Sequence, residues 1–158
     1  MFMAALILIL STGLFFFYLQ AVCQKVLRRQ FAHQFSQAIV NANSLGFPSV
    51  RKALGEFGVP VEYQRLMVTL RCDFLALTYL LKNAANVNQR YTCEERLLIL
   101  YFKLVFVSLF TRHWLRLRET PAALKLTAIL QYFANVVGER VNTVRFGNLT
   151  ASDYLRNL

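Results

Sequence analysis

Apolar residues run almost without a break from the start of the chain. Residues 2–19 are apolar or aromatic except for one Ser-Thr-Gly step, and the first charged side chain is Lys25. As a helix, residues 2–24 would extend about 35 Å at ~1.5 Å per residue, which is enough to cross a hydrocarbon core of ~30 Å. The pattern therefore predicts a transmembrane anchor over residues 1–24.

A cleaved signal peptide and a lipoprotein signal are the two alternatives for this segment. A signal peptide has a positively charged start, a shorter apolar core and a small-x-small cleavage site. Here the first three residues carry no side-chain charge, and residues 19–23 make a poor cleavage site. A lipoprotein signal has Leu three residues before the cysteine and a small residue directly before it, but Gln20 and Val22 precede Cys23. We therefore expect a retained span, with Cys23 as an interfacial thiol.

The charges that flank the span predict its orientation. Lys25, Arg28 and Arg29 follow it closely, and no charged side chain precedes it. By the positive-inside rule, the N-terminus lies outside and the rest of the chain in the cytoplasm, at an inner or plasma membrane. Each cation near an anionic leaflet contributes about 1 kcal/mol, so these three side chains are predicted to contact anionic phospholipid.

The helical period of apolar residues continues beyond the span. Its stripe, at spacings of three and four, consists of Leu27, Phe31, Phe35, Ala38 and Ala42. The spacing predicts a juxtamembrane helix over 25–45, continuous with the anchor and ended by the turn residues that follow. Phe31, Phe35 and Ala38 are the predicted contacts to another protein.

The remaining residues, 46–158, are predicted to form a small cytoplasmic helical domain. Stop signals and caps predict helices over about 49–57 and 61–86, a third from the T-x-x-E capping box at 92–95 to Arg118, and a fourth from Thr120-Pro121 to near Gly138. The predicted buried seams are Met67, Leu70, Phe74, Leu77, Leu81 and Ala84 in the second helix, and Leu126, Leu130, Phe133 and Val137 in the fourth.

Two details of these helices left room for alternatives. The second helix carries an apolar flank of Val68, Leu75 and Tyr79, which predicts burial on more than one side. In the third, residues 97–110 suggest a second membrane span, but this run has 14 residues and contains Lys103. Runs of that length are more often core helices. The predicted fold is therefore all-α, a single N-terminal transmembrane helix followed by a small cytoplasmic helical bundle.

Composition and charge support a membrane location. Apolar residues make up 56% of the chain, yet its formal charge is +10, from 18 Lys and Arg against 8 Asp and Glu. A chain that is both apolar and basic is typical of a protein at an anionic surface. The cysteines are three in number and widely spaced, which fits a reducing compartment better than a disulfide framework.

Candidate chemistry is sparse. The two histidines, His33 and His113, have no Cys, Asp, Glu or His at metal-ligand spacing, and neither C-x-x-C nor H-E-x-x-H occurs. Cys72 and Cys93 each adjoin a carboxylate, and neither has a histidine nearby in the sequence that could activate the thiol. We therefore expect no catalytic residue, no cofactor and no metal, and a protein that is not an enzyme.

The segment TRHWLRLRET, residues 111–120, is the sharpest local feature. Arg112 and Arg116 are one helical turn apart, and the sole tryptophan, Trp114, lies between them. These three residues are predicted to contact a lipid headgroup or another anion. The favoured interpretation of the segment is structural, however: the cations interact with the dipole at a helix C-terminus while Trp114 packs within the fold. Nucleic acid is disfavoured because no recognised binding motif accompanies the charge.

These observations predict a non-catalytic accessory or assembly subunit of a larger membrane protein complex. Its partners would be other subunits of the complex, which dock on apolar helical faces, and anionic phospholipid. The alternative is a membrane-anchored regulatory module that binds an anionic ligand or lipid headgroup through Arg112, Trp114 and Arg116.

Overall fold

The computed structural model describes residues 2–29, 31, 35–55, 62–83 and 91–156, of which Phe2 and residues 144–156 are described by their backbone alone. Within these ranges the chain is all-α and has six helices: α1 Phe2–Leu27, α2 Ser36–Asn43, α3 Phe47–Gly55, α4 Tyr63–Asn83, α5 Cys93–Trp114 and α6 Thr120–Arg156. The all-α prediction is therefore confirmed.

The long helix α6 is the centre of the bundle and contacts each of the other five helices. Its predicted seam is buried in full: Leu126, Leu130, Phe133 and Val137. The prediction that α6 ends near Gly138 is wrong, since it continues to Arg156. Gly138 allows the close approach of Phe35, whose β-carbon a side chain at position 138 would overlap. This glycine therefore marks a helix crossing rather than a helix end.

Helix α4 packs on α6 and α3 along its predicted seam. Leu70, Phe74, Leu77 and Leu81 are buried, together with Leu66. The prediction that α4 is buried on a second side is wrong, because Val68, Leu75 and Tyr79 are all exposed. No described helix covers that face.

Helix α5 begins at the predicted capping box. The Glu95 N–H donates to the Thr92 hydroxyl, and the Thr92 N–H donates to the Glu95 carboxylate. Its buried stripe is Leu98, Tyr101, Phe102, Val105 and Leu109. The Phe102 ring stacks on Phe74 of α4 with 4.0 Å between the ring centres. Residues 97–110 therefore lie in a core helix, as predicted.

The predicted single helix from the membrane to residue 45 is wrong, because α1 ends at Leu27 and α2 begins at Ser36. Contacts with α6 turn the chain between them. The Phe31 ring meets the Tyr132 ring edge to face at 5.3 Å, and the Ser36 N–H donates to the Asn135 side-chain carbonyl at 2.8 Å. These two contacts and the crossing at Gly138 place α2 along α6. The helix α2 therefore does not continue α1.

Candidate functional site

Helix α1 differs sharply between its two halves. Side chains are exposed from Met3 to Tyr18, whereas Leu19 and Cys23 belong to the buried core. Among the described residues, α1 is the one helix long and apolar enough to cross a membrane, a criterion that a signal sequence also meets. Its second half packs on α5 and α6. The segment that joins the exposed half to the bundle is therefore part of the folded domain.

The contacts along α1 show that it runs antiparallel to α5. At one end, the guanidinium of Arg29 lies 3.7 Å from the carboxylate of Glu94, in the first turn of α5. Towards the other end, Phe16 lines a groove of about 410 Å³ together with Ser108 and Arg112. The end of α5 therefore points towards the exposed apolar half of α1.

The connection between α5 and α6 is a structured turn, which we call the α5–α6 tip (residues 110–119). The Arg116 N–H donates to the His113 carbonyl at 3.0 Å, and the Leu117 N–H donates to the Arg112 carbonyl at 2.8 Å. Arg116 has a φ of 52°, in the left-handed region. These features make a Schellman motif, with arginine at the position where glycine is usual. The sequence predicts that α5 continues to Arg118, but this motif ends the helix at Trp114.

Further polar contacts hold the α5–α6 tip. The Arg112 guanidinium donates to the Arg118 carbonyl at 3.2 Å. The His113 Nδ1 lies 2.6 Å from the Glu119 carboxylate, and its ring stacks on Tyr63 of α4 at 3.5 Å. Burial, and secondly the charge of Glu119, raises the pKa of Tyr63. His113 is thus engaged within the fold, while His33 lies outside the described residues.

Apolar and cationic side chains are exposed together on the tip. Trp114 is 80% exposed, and Phe110, Leu115 and Leu117 are exposed as well. Arg116 is also exposed, whereas Arg112 is half-buried. The suggestion that Trp114 packs within the fold is therefore wrong, and the surface that it forms with Arg112 and Arg116 is open.

The other predicted lipid contacts lie at the far end of the packed half of α1. Lys25 and Arg28 are exposed, and Arg29 faces Glu94 and lies 5.9 Å above the Phe31 ring. About 11 residues of helix, or ~17 Å, separate Phe16 from Leu27 at the end of α1, and Arg29 lies beyond that end. The fold therefore keeps this basic cluster apart from the tip.

The predicted protein contacts are divided between interior and surface. Phe31 and Phe35 are half-buried against α6, where they hold the turn between α1 and α2. Ala38 is exposed on α2. That these three residues contact another protein stays a prediction. Of the three, Ala38 is the one that is exposed and therefore accessible to a partner.

The sequence missed one surface, which we call the α4 stripe: Val68, Cys72, Leu75 and Tyr79, all exposed. Their spacings of four, three and four place them on one face of α4. The apolar flank Val68, Leu75 and Tyr79 is visible in the sequence. Its exposure is not, because the sequence does not show which helices cover α4.

The described part of the chain shows no cluster of metal-binding side chains near these surfaces: no group of three or more His, Cys, Asp or Glu is placed there to hold a metal ion. Comparisons with protein-family models, with curated proteins and with solved structures gave no match. A function for this chain has to be inferred from its own surfaces.

Proposed function

We propose that this chain is a non-catalytic, single-pass membrane protein that serves as an accessory or assembly subunit of a larger membrane protein complex. Its N-terminus lies outside, and its helical domain lies in the cytoplasm. The observation that carries the proposal is the division of α1 into an exposed apolar half and a half packed into the bundle. Such a helix joins a membrane anchor to a folded domain without a linker.

The packed half of α1 supports a retained anchor over a cleaved signal. Leu19 is 6% exposed and Cys23 is wholly buried, in the same core as Tyr101 and Val105 of α5. Cleavage after either residue would remove core side chains and leave apolar surface on α5 open to water. A signal peptide has no need of such contacts with the mature domain.

The α4 stripe supports a partner protein. Its spacing is that of a helix–helix seam, and no described helix of this chain covers it. Arg71 and Lys82, which are exposed, follow Val68 and Tyr79 by three residues and so flank one side of the stripe. The best-fitting partner is therefore a helix with an apolar seam and acidic residues beside it.

Site-specific photocrosslinking in native membranes tests this docking. A photoreactive residue at Leu75 should form one discrete adduct with another protein, because Leu75 lies within the α4 stripe. The matched control is Glu139, which is exposed on α6 outside the stripe and should give no adduct. Absence of an adduct at Leu75, combined with a monodisperse monomer in mild detergent, would overturn the proposal.

The second candidate is a membrane-anchored regulatory module that binds an anionic ligand. The exposure of Trp114 and Arg116 on the tip favours it. It predicts a monomer that binds a soluble polyanion in detergent and loses that binding in the Arg112→Gln/Arg116→Gln variant. The accessory-subunit proposal predicts that this variant keeps its protein partners.

A further inference from the structure

We propose that the α5–α6 tip inserts into the same membrane leaflet that α1 enters. Trp114, Leu115 and Leu117 lie in the interfacial layer, and Arg112 and Arg116 reach the lipid phosphates. The inference rests on the proposed function in one respect, that α1 is a retained span. It adds a second point of attachment, which fixes the depth and tilt of the domain.

The register between α1 and α5 places the tip beside the exposed half of α1. Phe16 shares a groove with Ser108 and Arg112, and α5 ends two residues later, at Trp114. At ~1.5 Å per residue, Trp114 is about 3 Å further along the helix axis than Arg112. The tip is therefore level with the inner end of the exposed apolar segment of α1.

The exposed segment of α1 indicates how deep the tip lies in the membrane. Met3 to Tyr18 spans 16 residues, or about 24 Å of helix, whereas a hydrocarbon core is ~30 Å thick. Side chains packed in the bundle begin at Leu19, so the inner boundary of the membrane lies near Tyr18, at the end of this exposed segment. A tip that is level with Phe16 then lies at that boundary or slightly inside it.

The side chains of the tip suit this position. Tryptophan concentrates at the membrane interface, where an apolar ring and a polar N–H are both accommodated. Long arginine side chains extend from this depth to the phosphates while their stems stay in the apolar layer. The Schellman motif holds Leu115 and Leu117 on a fixed turn, so that their exposure is built into the fold.

The positive charge of the α5–α6 tip favours an anionic lipid surface as its binding partner. Arg112, Arg116 and Arg118 lie on the tip, and Lys125 lines the adjoining groove. The acidic residue of the tip, Glu119, is already engaged by His113. The surplus of positive charge next to exposed apolar residues fits a leaflet that contains anionic phospholipid.

Trp114 itself reports the depth, because it is the only tryptophan in the chain. The full chain is reconstituted into vesicles of phosphatidylcholine and phosphatidylglycerol, with brominated lipids as quenchers. We expect blue-shifted emission and stronger quenching by bromine near the headgroup than by bromine at the chain end. We also expect acrylamide to quench Trp114 several-fold less than it quenches free tryptophan.

The control moves the reporter to the far end of the bundle in the variant Trp114→Phe/Tyr79→Trp. Tyr79 is 69% exposed, and its neighbour Thr78 accepts a hydrogen bond from Tyr91, just before α5 begins. The relocated tryptophan should be quenched by acrylamide and not by brominated lipid. Equal lipid quenching at both positions would overturn the proposed orientation of the tip.

The outcomes separate this inference from the proposed function. Flotation with vesicles after alkaline carbonate washing reports whether α1 is an anchor. A floating protein whose Trp114 is solvated overturns the insertion of the tip and leaves the anchor intact. A protein that the wash extracts overturns both proposals. In the variant Leu115→Glu/Leu117→Glu, the protein should still float, and acrylamide quenching of Trp114 should rise towards that of the relocated tryptophan.

Discussion

The Arg140 guanidinium donates at 2.5 Å to the Glu95 carboxylate, and the pair is mostly shielded from solvent. The same guanidinium donates to the carbonyl of Leu81 at 2.7 Å. Glu95 also accepts the Thr92 N–H in the capping box of α5. One ion pair thus joins the end of α4, the start of α5 and the middle of α6.

Removal of either member of this pair should destabilise the bundle strongly. Glu95→Gln leaves the Arg140 charge unpaired, and Arg140→Met leaves the Glu95 charge unpaired; each should lower the free energy of unfolding by about 3 kcal/mol. The double variant should lose less than the sum of the two, because it leaves no unpaired buried charge. Chemical unfolding in detergent, followed by circular dichroism, gives the values. Purely additive losses below about 1 kcal/mol would contradict this role.

The crossing of Phe35 over Gly138 makes a second prediction. Gly138→Ala should lower the free energy of unfolding by about 1–3 kcal/mol, because the added methyl overlaps the β-carbon of Phe35 and α2 has to shift. In an open helix the same change would stabilise by up to ~1 kcal/mol. Gly55→Ala is the control, since no atom lies within 4 Å of the added carbon. A stabilised Gly138→Ala variant would contradict the close crossing.

These contacts show what the sequence could and could not predict. The capping box, the seam of α6 and the described part of the α4 seam are local or periodic patterns, and they were predicted correctly; Ala84, the last residue of the predicted α4 seam, lies outside the described residues. The break between α1 and α2 was missed because residues 27–42 keep the helical period, while the turn is made by contacts with Tyr132, Asn135 and Gly138. Such contacts join residues about 100 positions apart and leave no local signal.

The candidate site, too, could be predicted from the sequence only in part. The cations and tryptophan of residues 112–118 were visible as a local cluster in the sequence. Their position beside the apolar half of α1 follows from the antiparallel packing of α1 and α5, which no local pattern specifies. Arginine at the left-handed position of the Schellman motif also gave no signal, because glycine or asparagine is the usual residue there.

The buried carboxyl of Asp73 predicts how the stability of the fold depends on pH. Burial raises the pKa of its carboxyl, and the backbone N–H groups of Gly46 and Phe47 oppose that rise; the Phe47 bond is 2.6 Å long. Because the folded pKa lies above the ordinary value of 3.8, the protonated carboxyl favours folding. Relative to Asp73→Asn, the wild type should gain stability as the pH falls through the folded pKa towards 3.8, and lose that gain as the pH rises.

The matched variant Asp73→Ala isolates the hydrogen bonds of this carboxylate. It leaves the backbone N–H groups of Gly46 and Phe47 without their acceptor and should lower the free energy of unfolding by about 1–3 kcal/mol at neutral pH. Asp73→Asn keeps an acceptor oxygen and should lose less. Equal losses in the two variants would show that the negative charge, and not the hydrogen bonds, holds the start of α3.

Arg116 allows backbone strain to be separated from charge. Arg116→Gly should raise the free energy of unfolding by about 1 kcal/mol, because glycine adopts the left-handed conformation without steric cost. Arg116→Ala removes the same charge and keeps the strained backbone, so its stability should stay close to that of the wild type. Thermal unfolding in detergent compares the three proteins. Equal stability of the glycine and alanine variants would contradict a strained turn.

The retained span with a cytoplasmic domain is tested most directly by labelling thiols in sealed membrane vesicles. Cys93 is exposed at the start of α5, and Cys72 is exposed on the α4 stripe. An impermeant maleimide should label Cys93 of the membrane-bound chain in inside-out vesicles and leave it unlabelled in right-side-out vesicles until detergent is added. Labelling of Cys93 in intact right-side-out vesicles, or recovery of the protein in the soluble fraction without α1, would contradict the account.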